Sequence, residues 1–276
     1  MFNLSERYHP LTAKPTHTNE FMPCKALQPY IRCFWGQESA AEPTPALCTH
    51  KEMIIPDTCM DIIWELDEAV GTPDIFFCGI NDVPFEIMQE KREKGKSHFA
   101  IRFHFWAVHY FADHHLRDVL NANVDVEYYF RSFRQELSNI LVETNSMSER
   151  IAAAEAYLLR RLEGNSRTDD NLMNAVYMII KSKGVVAVQD LEFYSGLGRR
   201  QLERVFQEYI GVSPKKMADL VRFQNVWQDL YYNSNKYASV QDLVYAYQYS
   251  HQSHFINRFK KYSGRTPLEA LAHAGR

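Results

Sequence analysis

The last third of the chain contains a sequence that occurs twice. Val188-Gln-Asp-Leu191 recurs as Val240-Gln-Asp-Leu243, 52 residues later. Further on, equivalent positions are 53 residues apart, which indicates one inserted residue; the pairs are Leu202 and Phe255, Phe206 and Phe259, Tyr209 and Tyr262, Gly211 and Gly264, and Pro214 and Pro267. Two copies of one supersecondary unit account for this pattern, so this part of the chain must fold as a pair of similar units.

Each copy predicts a helix, a turn and a second helix. In the first copy the turn is Gly196–Gly198 and the second helix covers Arg199–Tyr209. In the second copy Ser239–Asp242 resembles a capping box, which satisfies free N–H groups at a helix start. The turn there is Tyr249–His251, and the second helix covers about Gln252–Tyr262. Each copy therefore reads as a helix-turn-helix.

The second helix of a helix-turn-helix enters the major groove of DNA with its first residues at the base edges. Arg reads guanine, Glu accepts from cytosine, Gln and Asn read adenine, and an aliphatic side chain touches the thymine methyl. One polar helix face is usually only solvated, but base-reading types at both matching helix starts favour DNA binding. The candidate base contacts are Arg199, Arg200, Glu203, Arg204, Gln252, Ser253, Ile256 and Asn257, and the candidate phosphate contacts are Arg258, Lys260 and Lys261.

The charge of the chain is unevenly distributed. The net charge is -3, but from Asp170 onward there are 14 Lys and Arg against 9 Asp and Glu. The residues before Asp170 include 17 Lys and Arg against 25 Asp and Glu. The C-terminal part is therefore the part suited to a polyanion such as double-stranded DNA.

The first part of the chain predicts a different class of structure. From about Phe21 to Phe111 it reads as short strands separated by turns, and Pro29–Trp35 fits either a helical turn or a strand. The predicted strands cover residues 53–55, 60–66, 75–77 and 98–105, and the predicted helices cover 126–142, 148–162 and a run from about 170 that ends at Gly184. Glu163–Arg167 reads as a linker. We expect an α+β protein with a barrel-like β-rich domain and following helices over residues 1–163, then an all-α domain over residues 168–276.

Residues Ser250–Pro267 resemble the signature of the AraC/XylS family of transcription regulators, and the resemblance extends over about Asn171–Ala274. It implies two helix-turn-helix subdomains joined by a long helix, here about Pro214–Tyr232. Two recognition helices would then enter successive major grooves, about 34 Å apart. Gln248 and Tyr249 stand where the family usually has a glycine and an aromatic residue.

The family resemblance also implies the partners. It implies a DNA-binding transcription activator that contacts RNA polymerase, with an N-terminal domain that senses a small molecule or forms a homodimer. Tyr30–Trp35 and Ile55–Ile63 resemble an uncharacterised domain found ahead of some AraC-type DNA-binding domains. His104–Trp106 stand where those relatives carry a Pro-Gly pair.

Several side chains of the N-terminal part have alternative interpretations. Trp35, Trp64, Phe103 and Trp106 are candidates for an effector pocket, although most aromatic residues are expected in the core. The histidines at 98, 104, 109, 114 and 115 and the cysteines at 24, 33, 48, 59 and 78 allow a metal- or thiol-responsive regulator, or an enzyme fused to a DNA-binding unit. No CxxC or HxxxH spacing is present, so free thiols and no bound metal are the simpler expectation.

The sequence offers no motif for catalysis. It contains no phosphate-binding glycine loop, no GxSxG and no HExxH, so we predict neither an enzyme nor a cofactor. No apolar run approaches the roughly 20 residues that cross a bilayer, so no membrane partner is expected. The first ten residues do not resemble a secretory signal, which indicates a cytoplasmic protein.

Overall fold

A computed structural model describes residues 3–11, 20–39, 51–88, 94–164, 169–232 and 239–273. The predicted linker residues 165–167 and Cys48 lie outside these ranges. The strands are β1 (Glu20–Phe21), β2 (Ile31–Gln37), β3 (Lys51–Ile54), β4 (Met60–Asp67), β5 (Asp74–Cys78), β6 (Phe85–Met88), β7 (Lys96–Phe103) and β8 (Asn123–Asp125). The helices are α1 (Glu127–Glu136), α2 (Ser138–Val142), α3 (Met147–Glu163), α4 (Asp170–Lys181), α5 (Val188–Ser195), α6 (Arg199–Tyr209), α7 (Pro214–Tyr232), α8 (Val240–Ala246), α9 (Gln252–Ser263) and α10 (Pro267–His273).

Six strands form one sheet in the order β1-β2-β7-β4-β5-β8, and every neighbouring pair is antiparallel. Side chains alternate between the two faces, so Phe34, Ile62 and Phe99 are buried together on the core side. Strands β3 and β6 form a separate two-stranded sheet. The α+β class is confirmed. The larger sheet has two edges, β1 and β8, so within the described residues it is open rather than a closed barrel.

The region after the sheet is helical, as predicted. Within Pro29–Trp35, strand β2 begins at Ile31, and the preceding residues form a turn in which Tyr30 N donates to Leu27 O. The predicted helix over 126–142 is divided into α1 and α2 at Leu137, and Phe130 inside α1 departs from helical angles. Helix α3 begins with a capping box between Ser146 and Glu149.

The C-terminal helices pack around α7. Gly184, which follows α4, packs so closely on α7 that a Cβ there would clash with Ala218 and Arg222. Helix α6 of the first copy of the repeat contacts α7, and in the second copy the Phe259 ring of α9 packs on Phe223 and Trp227 of α7. Both copies of the repeat therefore use α7 as a common support.

The N-terminal and C-terminal parts contact each other through hydrogen bonds and ion pairs. Leu116 N donates to Glu208 O over 2.9 Å, and the Glu208 carboxylate pairs with Arg117 at 2.8 Å. Gln224 of α7 is buried and hydrogen-bonds to the backbone of Leu11 and Pro56. These contacts join α6 and α7 to the sheet-containing part. Among the described helices, none is long and apolar enough to span a membrane.

Candidate nucleic-acid interface

Helix α6 begins at Arg199, directly after a tight turn. Gly196 has φ of +69°, a conformation that glycine adopts without steric cost, and Gly198 caps the helix. Leu202 and Phe206 are fully buried, so the helix axis is fixed against the core. Arg199 and Arg200 are exposed at the N-terminal end, where a helix presents unpaired N–H groups and partial positive charge.

Helix α9 occupies the equivalent place in the second copy. Its cap is His251, whose ring nitrogen accepts a hydrogen bond from His254 N at 3.0 Å. Phe255 is buried, while Gln252 and Ser253 are exposed at the helix start. The two helices thus present their first turns in the same way.

The structure leaves most of the predicted contact residues open to solvent. Eight are exposed, namely Arg199, Arg200, Arg204, Gln252, Ser253, Asn257, Lys260 and Lys261. Glu203, Ile256 and Arg258 are partly buried. None of the eleven side chains is buried, so burial does not prevent any of them from contacting a ligand.

Three of these cations already have intramolecular partners. Arg204 pairs with Glu208 one turn later at 3.3 Å, and Arg258 pairs with Asp219 of α7 at 2.9 Å. Lys261 lies 4.0 Å from Asp82 of the N-terminal part, whose carboxylate also pairs with Lys216. Burial tends to raise the Asp82 pKa, but the hydrogen bonds from Lys216 and Asn121 and the nearby lysines lower it overall. A phosphate would compete with these carboxylates for the same cations.

Two residues that position the start of α9 are not evident from the sequence. The guanidinium of Arg222 lies 3.7 Å from the ring centre of Tyr249 and donates to the Tyr247 backbone oxygen. Tyr249 in turn packs edge-on against Phe255. Arg222 lies on α7, and the only signal that could have nominated it is an arginine among the apolar residues of that helix.

The four candidate pocket aromatics are packed in different ways. Trp64 and Phe103 are fully buried in the core, and Trp106 is buried with its indole N–H donating to Pro29 O at 3.0 Å. Trp35 is partly buried and donates to Asp61, beside Arg102. None of the four lines the cavity between the N-terminal segment and the start of β2.

The described cysteines are all free, and two of them are buried. Burial raises the pKa of Cys33 and Cys78 to about 12, whereas redox-sensing thiols have lowered values. His104 and His109 are buried, and in the part of the chain that the structure describes no three His, Cys, Asp or Glu residues are arranged to hold a metal ion.

Two families match the chain. Residues 194–273 match a family described as helix-turn-helix domain. Residues 19–125 match a domain of unknown function (DUF6597). No curated protein matches the chain.

Solved structures of ToxT from Vibrio cholerae show a distant likeness. ToxT from strain O395 is 12% identical with a TM-score of 0.38, over 87% of this chain and 95% of that one. ToxT bound to (E)-4-(8-methylnaphthalen-1-yl)but-3-enoic acid is 12% identical with a TM-score of 0.39, over 87% of this chain and 97% of that one. Wild-type ToxT bound to an unsaturated fatty acid is 12% identical with a TM-score of 0.37, over 93% of this chain and 96% of that one. Likeness at this level transfers no ligand or mechanism.

The two family matches cover the two parts that differ in secondary structure. The β-rich part lies within the first match, and α6 to α10 lie within the second. The chain is therefore a DNA-binding transcription regulator that carries an AraC-type helix-turn-helix domain in its C-terminal part and a DUF6597 domain in its N-terminal part.

Proposed function

We propose that this DNA-binding regulator recognises a specific duplex sequence with α6 and α9 in successive major grooves, and that it activates transcription by contact with RNA polymerase. The N-terminal domain senses a small molecule. In this proposal Arg199, Arg200, Glu203 and Arg204 read one half of the site. Gln252, Ser253, Ile256 and Asn257 read the other half, while Arg258, Lys260 and Lys261 hold phosphates.

The observation that carries the proposal is the matched exposure of the two helix starts. Arg200 on α6 and Ser253 on α9 are equivalent in the repeat, and both are exposed beside a buried helix face. Exposed polar residues at one helix start have no special meaning. A duplicated unit that exposes base-reading side chains at both starts fits a duplex with two grooves on one face.

The binding test begins with selection of bound sequences from randomised duplexes, followed by gel shifts on the selected duplex over a salt series. We expect affinity to fall steeply with salt, because bound phosphates release counterions. The selected sites should contain two half-sites about 10 base pairs apart. A single half-site, or affinity that does not change with salt, would contradict the two-groove arrangement.

Substitutions assign the half-sites. We expect Arg200→Ala to weaken binding by about 1–3 kcal/mol and to relax base preference at one position of the first half-site. Asn257→Ala should do the same in the second half-site only. Arg131→Ala is the control, because Arg131 is an exposed arginine of α1 in the N-terminal domain. Unchanged base preference in both variants would refute the residue assignment.

The domain boundary and the activating role need separate experiments. The domains we propose are residues 1–163 and 168–276, so limited proteolysis should cut first between them and release a fragment that still binds DNA. Transcription in vitro from a promoter carrying the selected site should rise when the protein is added to RNA polymerase. Sedimentation measures whether the N-terminal domain instead serves as a homodimer contact.

A further inference from the structure

A cavity of about 250 Å³ lies where the N-terminal segment meets the start of β2. Its rim carries Glu6, His9 and Met22, which are exposed, and Ile31 and His104 are buried in its wall. At roughly 30 Å³ per water molecule in the liquid, the space corresponds to about eight water molecules. A small metabolite therefore fits.

His104 lines this cavity and has an unpaired ring nitrogen. Its side chain is 2% exposed, and Nδ1 has no hydrogen-bond partner among the described residues. The ring also hydrogen-bonds to the Gln28 backbone. It stacks on Trp106 with 4.3 Å between ring centres and 7° between planes, which fixes its orientation.

The His104 ring is neutral at physiological pH. Burial, with smaller contributions from Arg32 and His9, lowers its pKa to about 3. A neutral ring that donates one N–H to a carbonyl keeps a lone pair on the other nitrogen. That nitrogen accepts an N–H or O–H from a ligand, and leaving it unpaired is unfavourable.

Arg32 and Glu6 supply opposite charges to the same cavity. Arg32 is 20% exposed, and its nearest carboxylate in the described chain is Glu20 at 3.6 Å, too far for a hydrogen bond. Its guanidinium therefore has N–H groups to offer a carboxylate, which it binds well through two parallel hydrogen bonds. Glu6 and the His104 acceptor both suit a group that donates N–H bonds and carries positive charge.

We propose that this cavity binds a free amino acid, with the carboxylate on Arg32 and the ammonium group between Glu6 and His104 Nδ1. The cavity brings together the Arg32 cation, the Glu6 carboxylate and the neutral His104 acceptor, a set that matches a zwitterion better than a simple acid or amine. The assignment gives a ligand class to the sensing role proposed above and rests on that role for its meaning in the cell. Binding itself is measured without DNA.

The experiment uses the full chain and each standard L-amino acid in turn at millimolar concentration. Thermal shift identifies the binder, because a ligand that binds only the folded state raises the melting temperature. Titration calorimetry then compares the binder with its deaminated and decarboxylated analogues; for leucine these are 4-methylpentanoate and 3-methylbutylamine. We expect each analogue to bind at least about tenfold more weakly, the factor for losing one charged hydrogen bond.

Variants locate the binding to this cavity. Arg32→Gln and His104→Phe should each weaken binding at least about tenfold. Phe keeps an aromatic ring against Trp106, and circular dichroism verifies the fold of each variant. Glu6→Gln alters an exposed residue and provides a third measurement if His104→Phe does not fold. Arg131→Gln, outside the cavity, should bind as the wild type does.

Three results would overturn the inference: no amino acid binds, an analogue binds as tightly as the amino acid, or Arg32→Gln and Glu6→Gln bind like the wild type. Failure of this site is separable from failure of the proposed function. Arg32→Gln should retain wild-type affinity for the selected duplex without amino acid, and the duplex experiments above do not depend on any ligand.

Discussion

The repeat provides a matched pair of glycines for testing the contact between the two domains. Gly211 follows α6 with φ of +84°, and Gly264 follows α9 with φ of +74°. A Cβ at Gly211 would lie 2.1 Å from Leu116 O and 2.2 Å from Val119 Cγ2. A Cβ at Gly264 would meet nothing closer than 3.5 Å. An alanine would therefore meet backbone strain at both positions, but a steric clash only at position 211.

The expected magnitudes follow from these distances. Alanine in the left-handed region costs about 1–2 kcal/mol, and the reduced freedom of the unfolded chain offsets about 0.4–1 kcal/mol. Gly264→Ala should therefore lower the free energy of unfolding by about 1 kcal/mol. Gly211→Ala adds an overpacking cost of about 1–3 kcal/mol, for a total of about 2–4 kcal/mol.

The segment from Leu116 to Val119 has little room to relax around a new methyl group. A Cβ on Gly79 would lie 1.9 Å from Val119 O, so the backbone of Gly79 already packs directly against this segment. Leu116 N is also tied to Glu208 O. Movement away from residue 211 would break that hydrogen bond, which is why we assign the full overpacking cost.

The assay is urea unfolding of the wild type and both variants, followed by circular dichroism and by tryptophan fluorescence. We expect Gly211→Ala to unfold at clearly lower urea concentration than Gly264→Ala, with a similar slope. If Gly264→Ala loses as much stability as Gly211→Ala, the close contact between α6 and the N-terminal domain is not present in solution and the reasoning fails.

Three further predictions concern single side chains. The folded-state pKa of His104 is about 3 against 6.5 for a free histidine, so the unfolded chain takes up the proton first as pH falls. Stability should therefore decline from pH 6.5 downward, by about 2 kcal/mol at pH 5, and His104→Phe should lack this part of the decline in urea titrations at several pH values. Gln248 has φ of +50°, so Gln248→Gly should raise the free energy of unfolding by about 0.5–1 kcal/mol in the same assay, and a loss would argue against that backbone conformation. Asp82→Asn removes the carboxylate that pairs with Lys216 and should cost about 1 kcal/mol, a difference that added salt reduces; a cost independent of salt would indicate a role other than ion pairing.

Local patterns in the sequence were sufficient to predict the C-terminal helices. The bounds of α6 and the start of α9 agree with the prediction, because glycines and the spacing of Leu202 and Phe206 act within a few residues of each other. The bounds of α7 agree with what the family resemblance implied. The exposure of Arg200 followed from the same helical period. The repeat made each copy a check on the other.

For the N-terminal part, the sequence was sufficient to predict only the class of secondary structure. The β-branched and aromatic residues of β4 and the alternation in β7 indicated strands, but not that β7 lies between β2 and β4, because strand order depends on contacts far apart in sequence. The break of the helical run at Leu137 likewise has no clear local signal. These features depend on packing against the sheet.

The sequence by itself determined which elements of the C-terminal domain form and which side chains their helix starts expose, since these depend on interactions along one helix or one turn. Tertiary structure alone decided which distant groups meet: Asp82 with Lys216, Arg222 with Tyr249, and Arg32 with His104 in one cavity. Such pairs are set by how whole elements pack. A charged residue with a partner far along the chain looks the same in the sequence as one without.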